Sequence, residues 1–243
     1  LVVSLFVPQE YVLPLWGVVT FIDLKLPAKV AQKTDIAKHL SFSAHLPERF
    51  GLFFLILLGE SIISITQGII TKESHFIEIA LPAFLGLLVV FGVWWIYFDN
   101  IMDKPVKKDS AKSMNVWKYG HIGLFICTTA MGAGTLMLLK DFSNPDPKAI
   151  ILLSSMLAGV LFFMAIIEQS LRESECVQCM YKKGIVFRGV GMGVSLLVLL
   201  ALLYLVPAWI IFGTLNVAVW GQVMRRFKGE RRIDLIPDEA EVL

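Results

Sequence analysis

Charge is what this sequence has least of. Charged residues make up 17% of its 243 residues and hydrophobic residues 56%, and the mean hydropathy is +0.72. Soluble domains carry about a quarter charged residues, so that class is excluded. There are three cysteines, too few for a disulfide framework. Cys176-Val177-Gln178-Cys179 has no second pair to complete a zinc site and no βαβ context for a redox motif. It reads as two reduced loop thiols, and Cys127 as an inert buried one. No Ser-His-Asp order, HExxH or Walker sequence occurs, so no known enzyme chemistry is signalled. No metal, cofactor or nucleic-acid partner is expected.

What is there instead is a series of long apolar runs. A bilayer crossing needs about 20 mostly apolar residues. Runs of that kind fall at about 1–21, 47–69, 80–98, 117–139, 149–169, 186–205 and 207–224. The expected fold is therefore all-α: a polytopic bundle of about seven transmembrane helices over 1–228, followed by a mixed-charge tail over 229–243. Leu1 opens the sequence with neither methionine nor a positively charged stretch before the first run. That run is not read as a signal peptide, and further N-terminal helices are expected to precede it.

Seven crossings divide the basic residues cleanly. One side holds only Lys72, Lys140 and Lys148 of the 22 lysines and arginines; all the others fall in the alternate loops and the tail. By the positive-inside rule those loops and the C-terminus lie in the cytoplasm of a cell, inner or plasma membrane. Joining the last two runs into one would move the basic tail outside, which argues for the split.

The second run carries a carboxyl near its middle, Glu60. Such a residue is expensive in hydrocarbon, and its default reading is functional. At helical spacing Arg49, Phe53, Ile56, Glu60, Ser64 and Gln67 share one stripe. Leu55, Leu58, Ile62 and Ile69 lie on the other side, which is apolar enough to meet lipid. Arg49 is roughly 16 Å from Glu60 along the axis, too far for a direct pair. Glu60 must find its partner on another helix. The rival reading is a protonated carboxyl acting as interhelical glue.

Other ionisable groups gather at the cytoplasmic edge: His45, Glu48 and Arg49 entering the second span, Asp99 ending the third, His121 a turn inside the fourth, and Glu168 ending the fifth. Charged residues at helix ends are ordinarily interfacial anchors. An imidazole inside the edge is less ordinary, because it titrates near neutrality. His121 shares a face with Thr128, Gly132 and Thr135, a small hydroxylated surface suited to helix contact. Trp94, Trp95 and Tyr97 read as an aromatic belt. Gly189-x-x-x-Gly193 has the spacing for close helix approach, and Asn216 reads as an interhelical hydrogen-bonder.

The run His45-x-x-Glu48-Arg49-Phe50-Gly51-Leu52-Phe53 with Leu58-Gly59-Glu60-Ser61 resembles the signature of the bacterial low temperature requirement protein A (LtrA) family. Trp94-Trp95-Ile96-Tyr97-Phe98-Asp99 is similar to the family's second signature, and Tyr119-Gly120-His121 to a third. The resemblance implies a multi-pass envelope protein, longer at its N-terminus, whose early helix carries a counterpart of the Glu60 helix. The chain would then hold mainly the second half of a duplicated architecture, with a site between the repeats.

These readings together point to a transporter or channel for protons, cations or a small solute. Glu60 would be its central protonatable group, with Ser64 and Gln67 on the same stripe. His121 and Arg49 would lie on the cytoplasmic path, and His45 with Glu48 at its mouth. The alternatives are a membrane regulatory or interaction protein needed for growth in the cold, and an integral-membrane enzyme acting on a lipid head group. The expected partners are the lipid bilayer, the missing N-terminal helices and a second copy in a homo-oligomer.

Overall fold

Four helices of the computed structural model are long and apolar enough to cross a bilayer. The structure describes residues 8, 11, 18–19, 45–70, 76–102, 104, 106, 111–171, 189, 191–193 and 207–233. Over these it is helical, with one isolated bridge between Val106 and Leu171. The helices are α1 (His45–Ile70), α2 (Phe76–Tyr97), α3 (Ala111–Lys140), α4 (Pro147–Gln169) and α5 (Ala208–Ile233), with a π-helical turn at Phe98–Met102 after α2. The spans expected at 47–69, 80–98, 117–139 and 149–169 correspond to α1 through α4. The span expected at 207–224 corresponds to the shorter apolar helix Ala208–Met224 within α5. Those at 1–21 and 186–205 lie outside the described residues, apart from a few positions. Cys176, Cys179 and most of the 229–243 tail also lie outside them.

The chain divides into two units, Leu1–Ala44 and His45–Leu243. In the first, the Tyr11 N–H donates to the Pro8 carbonyl at 3.0 Å. The five helices all belong to the second.

Packing there runs in the order α4, α3, α1, α2, α5. Small residues set each contact, because lipid gives apolar helices no hydrophobic drive and close backbone approach must supply the attraction. Along α3, a Cβ on Gly120 would meet Ile167, one on Gly123 would meet Phe163, and one on Gly134 would lie 2.8 Å from the Leu153 backbone nitrogen. Rising positions on α3 meet falling positions on α4, so the two are antiparallel. Against α1 the pairs are Ser61 with Gly132 and Leu139 with Gly68, so α1 and α3 run parallel. Asp146 caps α4 by accepting from the Lys148 N–H at 2.8 Å, ahead of Pro147 at the first turn.

Between α2 and α5, Gly86 faces Phe212 and Gly92 faces Val219 and Trp220. Two side chains cross this contact: Asn216 Nδ2 donates to the Leu85 carbonyl at 2.8 Å, and Trp220 Nε1 to that of Leu88 at 3.1 Å. The interhelical role read for Asn216 is borne out. The α5 helix starts beside the α3–α4 turn, where the Ala208 N–H donates to the Phe142 carbonyl at 3.1 Å. The α4 helix ends at the opposite end, near Gly120. The end of α4 and the start of α5 therefore stand at opposite ends of the bundle.

The close-approach glycine of the Gly189–Gly193 run is not one of the two spaced for it. Among the described residues, nothing lies near the Cβ directions of Gly189 and Gly193, whereas Gly191 abuts the Gln222 amide, the Ala218 carbonyl and Leu161. Glycines four apart share a face, and here that face is open while the one between them is packed.

Candidate functional site

The first turns of α1 separate into two faces. Phe50 packs on Trp117, His121 and Phe125, with ring centroids 4.9, 5.1 and 5.7 Å apart. Gly51 leaves room for the Met102 thioether, which the π-helical turn delivers to it. A π-turn adds a residue to the helical repeat and re-aims the side chains beyond it. His45, Glu48 and Arg49 point the other way and are exposed. His45 Nδ1 and Glu48 Oε2 are 3.5 Å apart. The Phe-Gly half of this run thus builds the bundle, and its charged half faces outward.

His121 is 0% exposed. Its Nδ1 is 2.8 Å from the Trp117 carbonyl and its Nε2 is 3.1 Å from the Tyr97 hydroxyl. Trp117, Phe50, Phe125 and Tyr97 surround the ring, with centroids at 4.2, 5.1, 5.8 and 5.9 Å. Phe54 of α1 stacks on Tyr97 at 4.2 Å. Three helices therefore meet at one imidazole. The sequence reading set His121 on a cytoplasmic path; the structure encloses it. Tyr97, read from the sequence as belt, is instead buried as the partner of His121, while Trp94 and Trp95 remain partly exposed, Trp94 stacked on Phe91 and Trp95 edge-on to it. Thr128 and Thr135, on the same face of α3, are buried and donate to the Leu124 and Met131 carbonyls of their own helix at 2.8 and 2.9 Å.

Glu60 is exposed and makes no hydrogen bond or ion pair with a described residue. So is Arg49, and so is Gln67. With Ile56 and Ile63 they form a stripe of α1 that no described helix covers, bordered by Phe53, which lies edge-on to Phe125 of α3. Ser64 departs from the expected stripe: it is buried, together with Gly51, Phe54, Leu58, Ser61, Ile65 and Gly68. Leu58, expected on the lipid side, belongs to that packed face. The packed face of α1 thus takes in the small polar Ser61 and Ser64, while the longer polar side chains Arg49, Glu60 and Gln67 lie outside it. Asp99 is exposed within the π-turn, and Glu168 is buried at the end of α4. The structure brings neither of them to Glu60: Asp99 and Glu168 stand at the helix ends near Met102 and Leu171, whereas Glu60 lies beyond the middle of the 26-residue α1. Among the described residues, no group of three or more His, Cys, Asp or Glu side chains is arranged to hold a metal ion.

The family model described as "Bacterial low temperature requirement A protein (LtrA)" matches residues 1–223. The chain belongs to the LtrA family. The match extends well beyond 45–121, where the sequence resemblance lay, and takes in α4 and most of α5. No curated protein and no solved structure matches the chain. LtrA membership and the four long apolar helices fit a membrane protein.

Proposed function

We propose that this LtrA chain forms one wall of a membrane transporter or channel for protons, cations or a small solute, with Glu60 as its protonatable group. The observation that supports this is the polar stripe of α1 that no described helix covers. Arg49, Glu60 and Gln67 lie on it within a small arc, and from Arg49 to Gln67 it extends roughly 27 Å at the helical rise, close to the hydrocarbon thickness of about 30 Å. A carboxyl facing lipid there is strongly disfavoured. In the assembled protein the stripe must face water or a polar surface. Polar groups at both ends and near the middle suit a water-lined path better than a single interhelical clasp.

In this reading the N-terminal helices of the full-length protein form the opposite wall. The basic loops and the C-terminus are cytoplasmic, and His45 with Glu48 stand at the mouth. The enclosure of His121 argues for taking it off the path. The positions of Leu171 and Ala208 at opposite ends of the bundle favour a further crossing between α4 and α5, which with the five described helices and the expected span at 1–21 makes about seven.

The test is proton flux into liposomes holding the full-length protein, driven by a pH gradient under a potassium-set potential. Wild type is expected to carry protons and Glu60→Gln to carry none while remaining folded. Equal flux in both would overturn the assignment of Glu60. Flux in neither would remove the proton version.

One observation also favours a second reading, a membrane regulatory or interaction protein. The same uncovered stripe would serve as an interface for a partner helix. In that case Glu60→Gln abolishes co-purification of a defined partner and leaves ion flux at the background of empty liposomes.

A further inference from the structure

The proton positions around His121 are dictated by its neighbours. A carbonyl oxygen only accepts, so the 2.8 Å contact places a hydrogen on Nδ1, donated to Trp117. Nε2 of the neutral ring is then a lone pair, and the Tyr97 hydroxyl donates to it at 3.1 Å. In this state every polar atom of the pair is satisfied. A second proton would have to sit on Nε2, facing the Tyr97 oxygen. Tyr97, whose ring is flanked by Phe54 and Phe98, would have to turn its own hydrogen away from Nε2. Among the described residues, His121 Nε2 is the one hydrogen-bond partner of the Tyr97 hydroxyl. The protonated pair would thus hold both a buried charge and a buried unsatisfied hydroxyl. The surrounding ring faces offset only part of that.

We infer that His121 and Tyr97 form a proton-operated latch, which clasps the end of α2 to α3 and α1 while His121 is neutral and releases it when the ring takes a second proton. The titratable and charged groups around it are few. The α1 helix presents Phe50 and Phe54, with His45, Glu48 and Arg49 exposed at its start. The α2 helix presents Tyr97, with Asp99 exposed in the π-turn beyond it. On α3, Lys118 is exposed and Tyr119 comes next. On α4, Glu168 is buried one residue beyond Ile167, which abuts Gly120. The latch does not depend on transport, and it is read without any gradient.

The experiment uses full-length protein in detergent micelles. Hydrogen–deuterium exchange over residues 95–102, corrected for the intrinsic pH dependence of exchange, is followed from pH 8 to pH 5. The emission of Trp117 is followed in parallel as the difference between wild type and Trp117→Phe, because a protonated imidazole in contact quenches an indole. In wild type, exchange is expected to rise several-fold and Trp117 emission to fall. His121→Gln should show neither change. Tyr97→Phe should exchange at pH 8 as wild type does at pH 5. Exchange that stays flat in wild type, or rises equally in His121→Gln, overturns the latch. If His121→Gln does not fold, Tyr97→Phe decides alone: exchange at pH 8 equal to wild type overturns it.

Discussion

Asn216 reaches from α5 to the Leu85 carbonyl of α2, 131 positions earlier in the chain, at 2.8 Å. The same Nδ2 also donates to the Phe212 carbonyl of its own helix at 2.8 Å. One amide thus fastens two parallel helices at a depth where water does not compete. Measured interhelical hydrogen bonds in membranes average about 0.6 kcal/mol and reach about 1.7. Asn216→Ala is expected to lower stability by about 1 kcal/mol, at the upper part of that range because the contact is buried. Denaturant titration in micelles measures it. Trp220→Phe, which removes the neighbouring bond to Leu88, should add a further loss.

Glycine substitutions should divide by what stands opposite. A Cβ on Gly134 would lie 2.8 Å from the Leu153 nitrogen and 3.0 Å from its Cα. Backbone cannot yield as a side chain does. Gly134→Ala is expected to push α3 from α4 and to lower the unfolding midpoint clearly. Gly59 has nothing within 4 Å of its Cβ direction. Gly59→Ala should leave the midpoint unchanged or raise stability by about 0.5–1 kcal/mol through helix propensity. Thermal unfolding of the two variants side by side is the check, and a reversed order would contradict the α3–α4 contact.

If the α1 stripe lines water, cysteines placed on it should react with a membrane-impermeant thiol reagent. Ile56→Cys and Ile63→Cys, which flank Glu60, are expected to be labelled. Phe84→Cys on α2, similarly exposed at 57% but set among apolar neighbours, should not be. Equal protection of all three would place the α1 stripe in lipid or in a packed interface and count against the transport reading.

Asp146 closes the first turn of α4 by accepting from the Lys148 N–H. Asp146→Ala is expected to cost about 1 kcal/mol, the usual loss for such a cap. Asp146→Asn should retain most of the stability. Equilibrium unfolding of the pair separates capping from charge.

The long spans were legible because hydropathy and length alone determine which helices cross a bilayer. The LtrA signature was legible too, and the family match carries it across nearly the whole chain. Contacts within the bundle were less so. Tyr97 looked like one more ring in an aromatic belt, since nothing in Trp-Trp-Ile-Tyr says which ring turns inward. The cue was Phe50 and His121 in the neighbouring signatures, which needed a third partner. Gly191 was hidden by the more regular spacing of Gly189 and Gly193. Polarity also misled at Ser64, whose hydroxyl suggested the Glu60 stripe while its small size put it in the contact with neighbouring helices.

The pairing of α2 with α5 has a consequence for synthesis. The α2 helix is synthesised before α3, α4 and α5, so Leu85, Gly86, Leu88 and Gly92 wait through the making of α3 and α4 for the helix that covers them. A nascent chain stopped before Ala208 would keep one flank of α2 bare, with two of its carbonyls lacking their side-chain donors. Arrival of α5 therefore completes the packing of this flank of α2.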